Sequence, residues 1–70
     1  MRIKHFEATD TAIIELSINL SVETRELNEN LYIDLDNQGL VVSITIEHAG
    51  KSTDMREFLY QRIPADLVAS

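Results

Sequence analysis

The stretch LYIDLDNQGLVVSITI (residues 31–46) contains two alternations of apolar and polar residues on either side of a turn. Apolar side chains fall on odd positions before the turn and on even positions after it, a period of two that indicates strands buried on one face. Asp36 suits the first position of a type I turn and Gly39 the fourth. The stretch therefore predicts a tight antiparallel hairpin, in which Leu35 faces Leu40 and Ile33 faces Val42.

The same period occurs in the N-terminal half of the chain. Apolar residues occupy every second position from Ala12 to Val22, which predicts one long strand that breaks or bends near Asn19. Residues 3–6 predict a first short strand followed by a turn, and residues 22–27 predict a further extended segment before a polar turn at residues 28–30. The N-terminal half thus adds strands to the same sheet.

The pattern changes after Gly50. Asp54 and Glu57 resemble a capping box, apolar residues then follow at spacings of three and four, and Pro64 ends the segment. This predicts a helix over residues 52–63, which is too short to be stable unless it packs on other surface. The predicted fold class is α+β, with a small antiparallel β-meander of three to five strands followed by one C-terminal α-helix. We expect a single domain over residues 1–70, with the sheet region in 1–49 and a tail in 64–70.

The size of the chain favours association. With 70 residues and no cysteine, it has a small core and no disulfide or thiolate metal site to stabilise it, so we expect another protein chain to do so, as a homodimer. No apolar run is long enough to span a membrane, and the start of the chain lacks the pattern of a signal peptide. We expect no membrane association and a cytoplasmic location.

The net charge of −6 is concentrated in one part of the sequence. Between Glu7 and Glu47, nine acidic residues stand against one basic residue, Arg25. Such a segment repels phosphate backbones, which disfavours direct nucleic-acid binding, and attracts a basic protein. The alternative interpretation is that the acidic residues only keep a small protein in solution.

A candidate partner interface follows from the outward positions of the predicted strands. Apolar side chains interrupt the polar face there, and acidic side chains surround them. The apolar members are Ile13, Tyr32 and Val41, and the acidic members are Glu15, Asp34, Asp36 and Glu47.

Motifs for catalysis are missing from the sequence. No serine lies in a Gly-x-Ser-x-Gly turn, and the two glycines form no phosphate-binding loop. His5 and His48 could meet beside Glu7 or Glu47 if the first and last strands pair, which leaves a metal-dependent enzyme as one hypothesis. Ordinary exposed histidines at strand ends are the alternative. We predict no enzyme, no catalytic residue, no metal and no cofactor.

Several segments together resemble a family of small bacterial proteins known as domain of unknown function 2283. They are DTAIIEL (residues 10–16), VETREL (22–27), YIDLD (32–36) and GLVVSITI (39–46), and the similarity covers about residues 6–49. The chain departs from the family at Ser43 and Thr45, where members usually carry Gly and Glu. The resemblance implies a small sheet-based fold and a cytoplasmic bacterial protein, without an established activity.

The resemblance also implies a hypothesis about partners. Relatives are regarded as one half of two-gene modules whose other half is similar to a basic ribonuclease-like toxin. This implies an antitoxin-like, non-catalytic interaction module, with a purely structural homo-oligomer as the alternative.

Overall fold

The computed structural model describes residues 1–68, and its central element is one antiparallel sheet of five strands. The strands are β1 (Arg2–Phe6), β2 (Thr11–Glu15), β3 (Glu23–Asn28), β4 (Leu31–Leu35) and β5 (Val41–Ile46). Their order in the sheet is β1-β2-β5-β4-β3, so β3, β4 and β5 form a meander and the β1–β2 hairpin joins it along β5. The predicted α+β class, a meander-like sheet with a short C-terminal helix, is confirmed.

Strand β2 is shorter than predicted. The strand expected from Ala12 to Val22 ends at Glu15, and Ile18 and Leu20 are exposed. The backbone N–H groups of Leu16 and Ser17 both donate to Val42 O, and there the ladder ends. Residues 16–22 then cross the ends of β5 and β4 to reach β3 on the far side, where Val22 N donates to Leu35 O. Between these two ends the alternating segment forms no ladder with a neighbouring strand.

The hairpin is present, but its predicted register is wrong. Gly39 has φ 82°, and its N–H donates to Asp36 O, so the loop is a type I turn closed by a glycine bulge. A second irregularity at Asp34 and Leu35 puts Leu35 opposite Val41.

Past both irregularities, Ile33 lies opposite Ile44 rather than Val42. Each irregularity shifts the pairing by one residue, and the two shifts together preserve the odd-to-even relation of the apolar positions. This is why the faces predicted for residues 31–35 and 42–46 are correct although the predicted partners are not. Leu40, which was predicted to face inward, is exposed.

The helix predicted over residues 52–63 is absent from those positions. Instead, four-residue helices α1 (Ala49–Ser52) and α2 (Ala65–Val68) flank a segment without regular secondary structure. Thr53 is extended and its N–H and Oγ1 both donate to Ala49 O, which ends α1. Asp54 Oδ1 accepts from Arg56 N and Nε, a local turn that competes with a helical cap.

Pro64 precedes α2 rather than ending a helix, a position that its fixed φ favours. The tail predicted over residues 64–70 therefore contains α2, and its last two residues lie outside the described part of the chain.

One face of the sheet is apolar. Cross-strand pairing places Ile3, Ile14, Ile44 and Ile33 in one row, and residues opposite each other share a face. We call this surface, with the neighbouring row, the apolar face; its apolar members are Ile3, Ala12, Ile14, Leu31, Ile33, Ile44 and Ile46, and its polar members lie at the edges, His5 on β1 and Arg25 and Asn28 on β3.

The apolar face is only partly covered. Residues 53–58 lie on its β1–β2 side, where Met55 and Phe58 line a groove together with residues of β1, β2 and β5. Ala12 is the one member of the face that is buried; Ile33 and Ile44 are half-buried, and Phe58 remains exposed. No helix within residues 1–68 is long and apolar enough to cross a membrane.

Candidate interaction surface

The opposite face of the sheet is polar and carries most of the predicted interface residues. One row across all five strands reads Lys4, Ile13, Thr45, Tyr32 and Glu26. The next row reads Arg2, Glu15, Ser43, Asp34 and Thr24, and Phe6 lies opposite Thr11 at one end. We call these two rows, with Phe6, Thr11 and the adjacent Glu47, the polar face.

Tyr32 lies near the acidic side of this face. It is half-buried on β4, directly opposite Glu26 on β3. The Glu47 carboxylate raises the pKa of the Tyr32 phenol, with smaller contributions from desolvation and from Glu26. The phenol therefore stays protonated at neutral pH and can donate a hydrogen bond in a negative local field.

Asp34 occupies the same side and is held in place by two hydroxyl groups. Thr24 Oγ1 and Ser43 Oγ both donate to its carboxylate, the latter at 2.7 Å. These hydrogen bonds, that of Thr24 first, hold the pKa of Asp34 below its ordinary value. Asp34 is therefore a fixed negative charge between β3 and β5 at neutral pH.

Positive charge lies at the other edge. Lys4 Nζ is 3.1 Å from Glu15 Oε1, and both side chains are partly exposed. An exposed pair of this kind contributes little stability, but it compensates the charge of Glu15. The polar face is thus divided: Arg2 and Lys4 mark its β1 side, while the acidic side contains Glu26, Asp34 and Glu47.

Asp36 does not belong to this surface. It is buried, and its carboxylate accepts hydrogen bonds from the backbone N–H groups of Gln38 and Leu40, both at 2.9 Å, and from Asn19 Nδ2. The bond from Leu40, followed by that of Asn19, holds the pKa of Asp36 below its ordinary value. Its oxygens organise the β4–β5 turn and anchor the crossing loop.

The predicted apolar residues are only partly brought together. Ile13 and Tyr32 flank Thr45 in one row, so they are two strands apart on the same face, about 9–10 Å. Val41 lies at the other end of β5, opposite Leu35 and next to the irregular pairing. The candidate interface therefore contains Ile13, Tyr32, Asp34 and Glu47, with Glu15 paired to Lys4 and with Asp36 and Val41 apart.

A second polar cluster, centred on Asp10, was missed by sequence reasoning. Asp10 and His48 both have left-handed backbone conformations, with φ of 54° and 55°. The Asp10 carboxylate accepts from Gly50 N at 2.9 Å and lies 2.9 Å from His5 Nε2, while its carbonyl accepts from Ala49 N. The hydrogen bond with His5, then that of Gly50, holds the pKa of Asp10 below its ordinary value.

This cluster fastens α1 to the β1–β2 turn. A Cβ atom at Gly50 would lie 3.0 Å from Asp10 Oδ1, which explains glycine there. Asp10 and Gly50 are 40 residues apart, so no local pattern in the sequence connects them.

The two histidines do not share a site. His5 contacts Asp10, whereas His48 Nδ1 lies 3.0 Å from Asn30 Oδ1, because β1 pairs with β2 rather than with β5. Within residues 1–68, no three side chains of the His, Asp and Glu types come together in a metal-binding arrangement.

These features define a class of protein: a small α+β protein built on one sheet, with one apolar face and one charged face. The chain belongs to the family described as protein of unknown function (DUF2283), which matches residues 2–49. The matched region contains all five strands and the Asp10 cluster except Gly50. No curated protein and no solved structure matches the chain.

Proposed function

We propose that this protein is a non-catalytic interaction module that binds a basic protein through the acidic side of its polar face. The observation that supports the proposal is the arrangement around Tyr32, where an aromatic side chain is surrounded by Glu26, Asp34 and Glu47. Tyrosine is enriched among residues that dominate binding energy at protein interfaces. Surrounding carboxylates speed the encounter with a basic partner and disfavour acidic ones.

The acidic side is also prepared for binding before a partner arrives. Asp34 is fixed by Thr24 and Ser43, so little side-chain freedom is lost when a basic group contacts it. Glu26 and Glu47 have no opposite charge as close as Lys4 is to Glu15 within residues 1–68. Their negative field is therefore available to a partner.

The partner that we propose is a basic ribonuclease-like protein, which the acidic side would inhibit by covering its RNA-binding surface. This antitoxin-like role rests on the resemblance stated above and on charge complementarity. The charge pattern argues against nucleic acid as the direct ligand, because the same carboxylates would repel phosphates. The alternative remains a purely structural homo-oligomer in which the acidic side has no partner.

The test is capture of a basic protein from the native host, followed by measurement of affinity with the purified pair. The informative variant is Glu26→Gln with Glu47→Gln, and the matched control is Glu7→Gln with Glu57→Gln, which changes the net charge equally at exposed sites elsewhere. We expect the first variant to lower the association rate constant about fivefold or more and the control to leave it nearly unchanged.

Salt gives an independent measurement, since the affinity should fall as ionic strength rises. Reversing the charge of Asp36 would not test this surface, because loss of its carboxylate would disturb the β4–β5 turn. An affinity that is indifferent to salt, or equal losses in both double variants, would count against the proposed surface. A partner that is acidic rather than basic would refute the proposal outright.

A further inference from the structure

The chain exposes more surface than a protein of its size ordinarily does. Its accessible surface is 5845 Å², whereas a folded monomer of 8.0 kDa has about 4,450 Å². Its radius of gyration is 14.5 Å, against about 11 Å for a typical compact domain of this length. The surplus of about 1,400 Å² exceeds the 800 Å² or so that each partner buries in a standard protein–protein interface.

Large apolar side chains contribute to this exposed surface. Large apolar side chains are exposed in the segment after α1, where Phe58, Tyr60 and Ile63 are each more than 60% accessible. Phe58 and Tyr60 line a shallow pocket with Met1 and Ile3, so they continue the apolar face at its β1 edge. Monomeric proteins rarely expose a contiguous apolar area of this kind.

We infer that the apolar face pairs with the apolar face of a second copy of this chain, forming a two-fold symmetric β-sandwich. The size of the exposed surface favours a second copy as the partner, because the surplus surface of one chain is large enough to form the interface of a stable dimer. The strands of this face also carry one carboxylate, Glu23 at the β3 edge, and Arg25 already pairs with it, so a basic partner does not suit this face. This inference uses the opposite face from the proposed partner surface and does not depend on it.

The sheet order makes such a pairing self-complementary. β5 is the central strand, residues 53–58 cover the β1–β2 side of the apolar face, and the β4 side is open. A two-fold axis along β5 brings the covered half of one copy against the open half of the other. This axis sets β1 and β2 of one copy against β3 and β4 of the other. Phe58, which lies beside Ile3 and Ile14, would then contact Ile33 and the neighbouring Arg25 of the partner copy, and both polar faces would point outward.

The test uses sedimentation of the full chain across a range of concentrations, with two matched variants. Phe58→Ser removes an exposed ring beside the apolar face, and Phe6→Ser removes an exposed ring from the polar face. We expect the wild-type chain to dimerise, Phe58→Ser to raise the dimer dissociation constant about tenfold or more, and Phe6→Ser to change it little.

Isotope-filtered nuclear Overhauser spectra of a mixed labelled and unlabelled sample provide the second measurement. Contacts between the Phe58 ring of one chain and the Ile33 methyl groups of the other would support the pairing. The inference is overturned by a monomer at all concentrations, including one whose own residues 53–63 close over the face. It is also overturned if Phe6→Ser weakens the dimer as much as Phe58→Ser does. A third contrary result is an apolar face that is covered only when the chain forms a 1:1 complex with a basic protein.

The two proposals fail separately. Glu26→Gln with Glu47→Gln should leave the dimer intact while it weakens binding of the basic partner. Phe58→Ser should leave the affinity of each chain for that partner unchanged. An unmodified chain that binds a basic protein but stays monomeric contradicts only the sandwich, and one that dimerises but binds no basic protein contradicts only the polar-face surface.

Discussion

Replacing Leu35 and Leu40 separately with alanine tests the register of the central hairpin. The alternation in the sequence makes the two leucines equivalent inward residues that face each other. In the structure Leu35 is 5% accessible and Leu40 is 59% accessible, because the glycine bulge places Leu40 opposite Asp36 outside the core. The two substitutions should therefore have very different costs.

The magnitudes follow from burial. Removing a buried leucine side chain beyond Cβ costs about 2–3 kcal/mol in transfer free energy plus a cavity term, and a one-sheet core that can partly collapse lies at the low end of the observed range. We expect about 3 kcal/mol for Leu35→Ala and less than about 1 kcal/mol for Leu40→Ala. The free energy of unfolding of a 70-residue chain is about 3.5–10 kcal/mol, so Leu35→Ala would remove about 30% of it or more.

The assay is urea unfolding followed by circular dichroism at one fixed protein concentration, since association would shift the transition. Leu35→Ala should lower the midpoint while preserving the slope, and Leu40→Ala should nearly overlay the wild type. Equal losses in the two variants would refute the bulged register and restore the simple pairing of the two leucines.

Substitutions at three further positions, Gly39, Gly50 and Asp10, probe the turns and their acid sensitivity. Gly39→Ala should cost about 1–2 kcal/mol in urea unfolding because the site has φ 82°, whereas Gly39→Asn should cost less, and equal costs would exclude backbone strain as the cause. Gly50→Ala should accelerate hydrogen exchange of the residue 50 amide, since the added Cβ displaces the Asp10 carboxylate; unchanged exchange there would contradict the contact. The hydrogen bond with His5 holds the pKa of Asp10 below its ordinary value in the folded chain, so its contribution to stability is complete above the unfolded pKa and is lost as the pH falls through the folded pKa. Asp10→Asn should therefore flatten the fall in urea midpoint on acidification, Glu7→Gln should not, and identical acid profiles for Asp10→Asn and the wild type would rule out this role.

Local patterns predicted most of the sheet. Period two at residues 31–46 located β4, β5 and the turn between them, and polar clusters located the turns that flank β2 and β3. The same rule failed over residues 16–22, where the alternation is as regular as elsewhere. Alternation indicates that a segment could place its apolar and polar side chains on opposite faces of a strand. A strand also needs a neighbouring strand with free backbone N–H and C=O groups, and the topology of the sheet decides whether one is there.

The sequence predicted the kinds of side chain in the candidate interface, but not which of the predicted residues lie together. Tyr32, Asp34 and Ile13 share a face because strand periodicity assigns faces. Asp36 has the same parity as Asp34, yet its carboxylate is directed into the turn by the backbone N–H groups of residues 38 and 40. The Asp10 contact with Gly50 joins residues that are distant in sequence, so no local pattern could have revealed it.

The amino-acid sequence by itself determined the class of fold, the two faces of its strands and the excess of negative charge, because each depends on short-range spacing or composition. Only the tertiary structure decided that β2 lies beside β5, that two irregularities shift the hairpin register, and that residues 53–64 are not helical. The position of β2 depends on competition for backbone hydrogen bonds between segments far apart along the chain. The register shifts and the absence of a helix over residues 53–64 depend on hydrogen bonds within the β4–β5 turn and between Asp54 and Arg56, and the spacing of apolar residues encodes none of these.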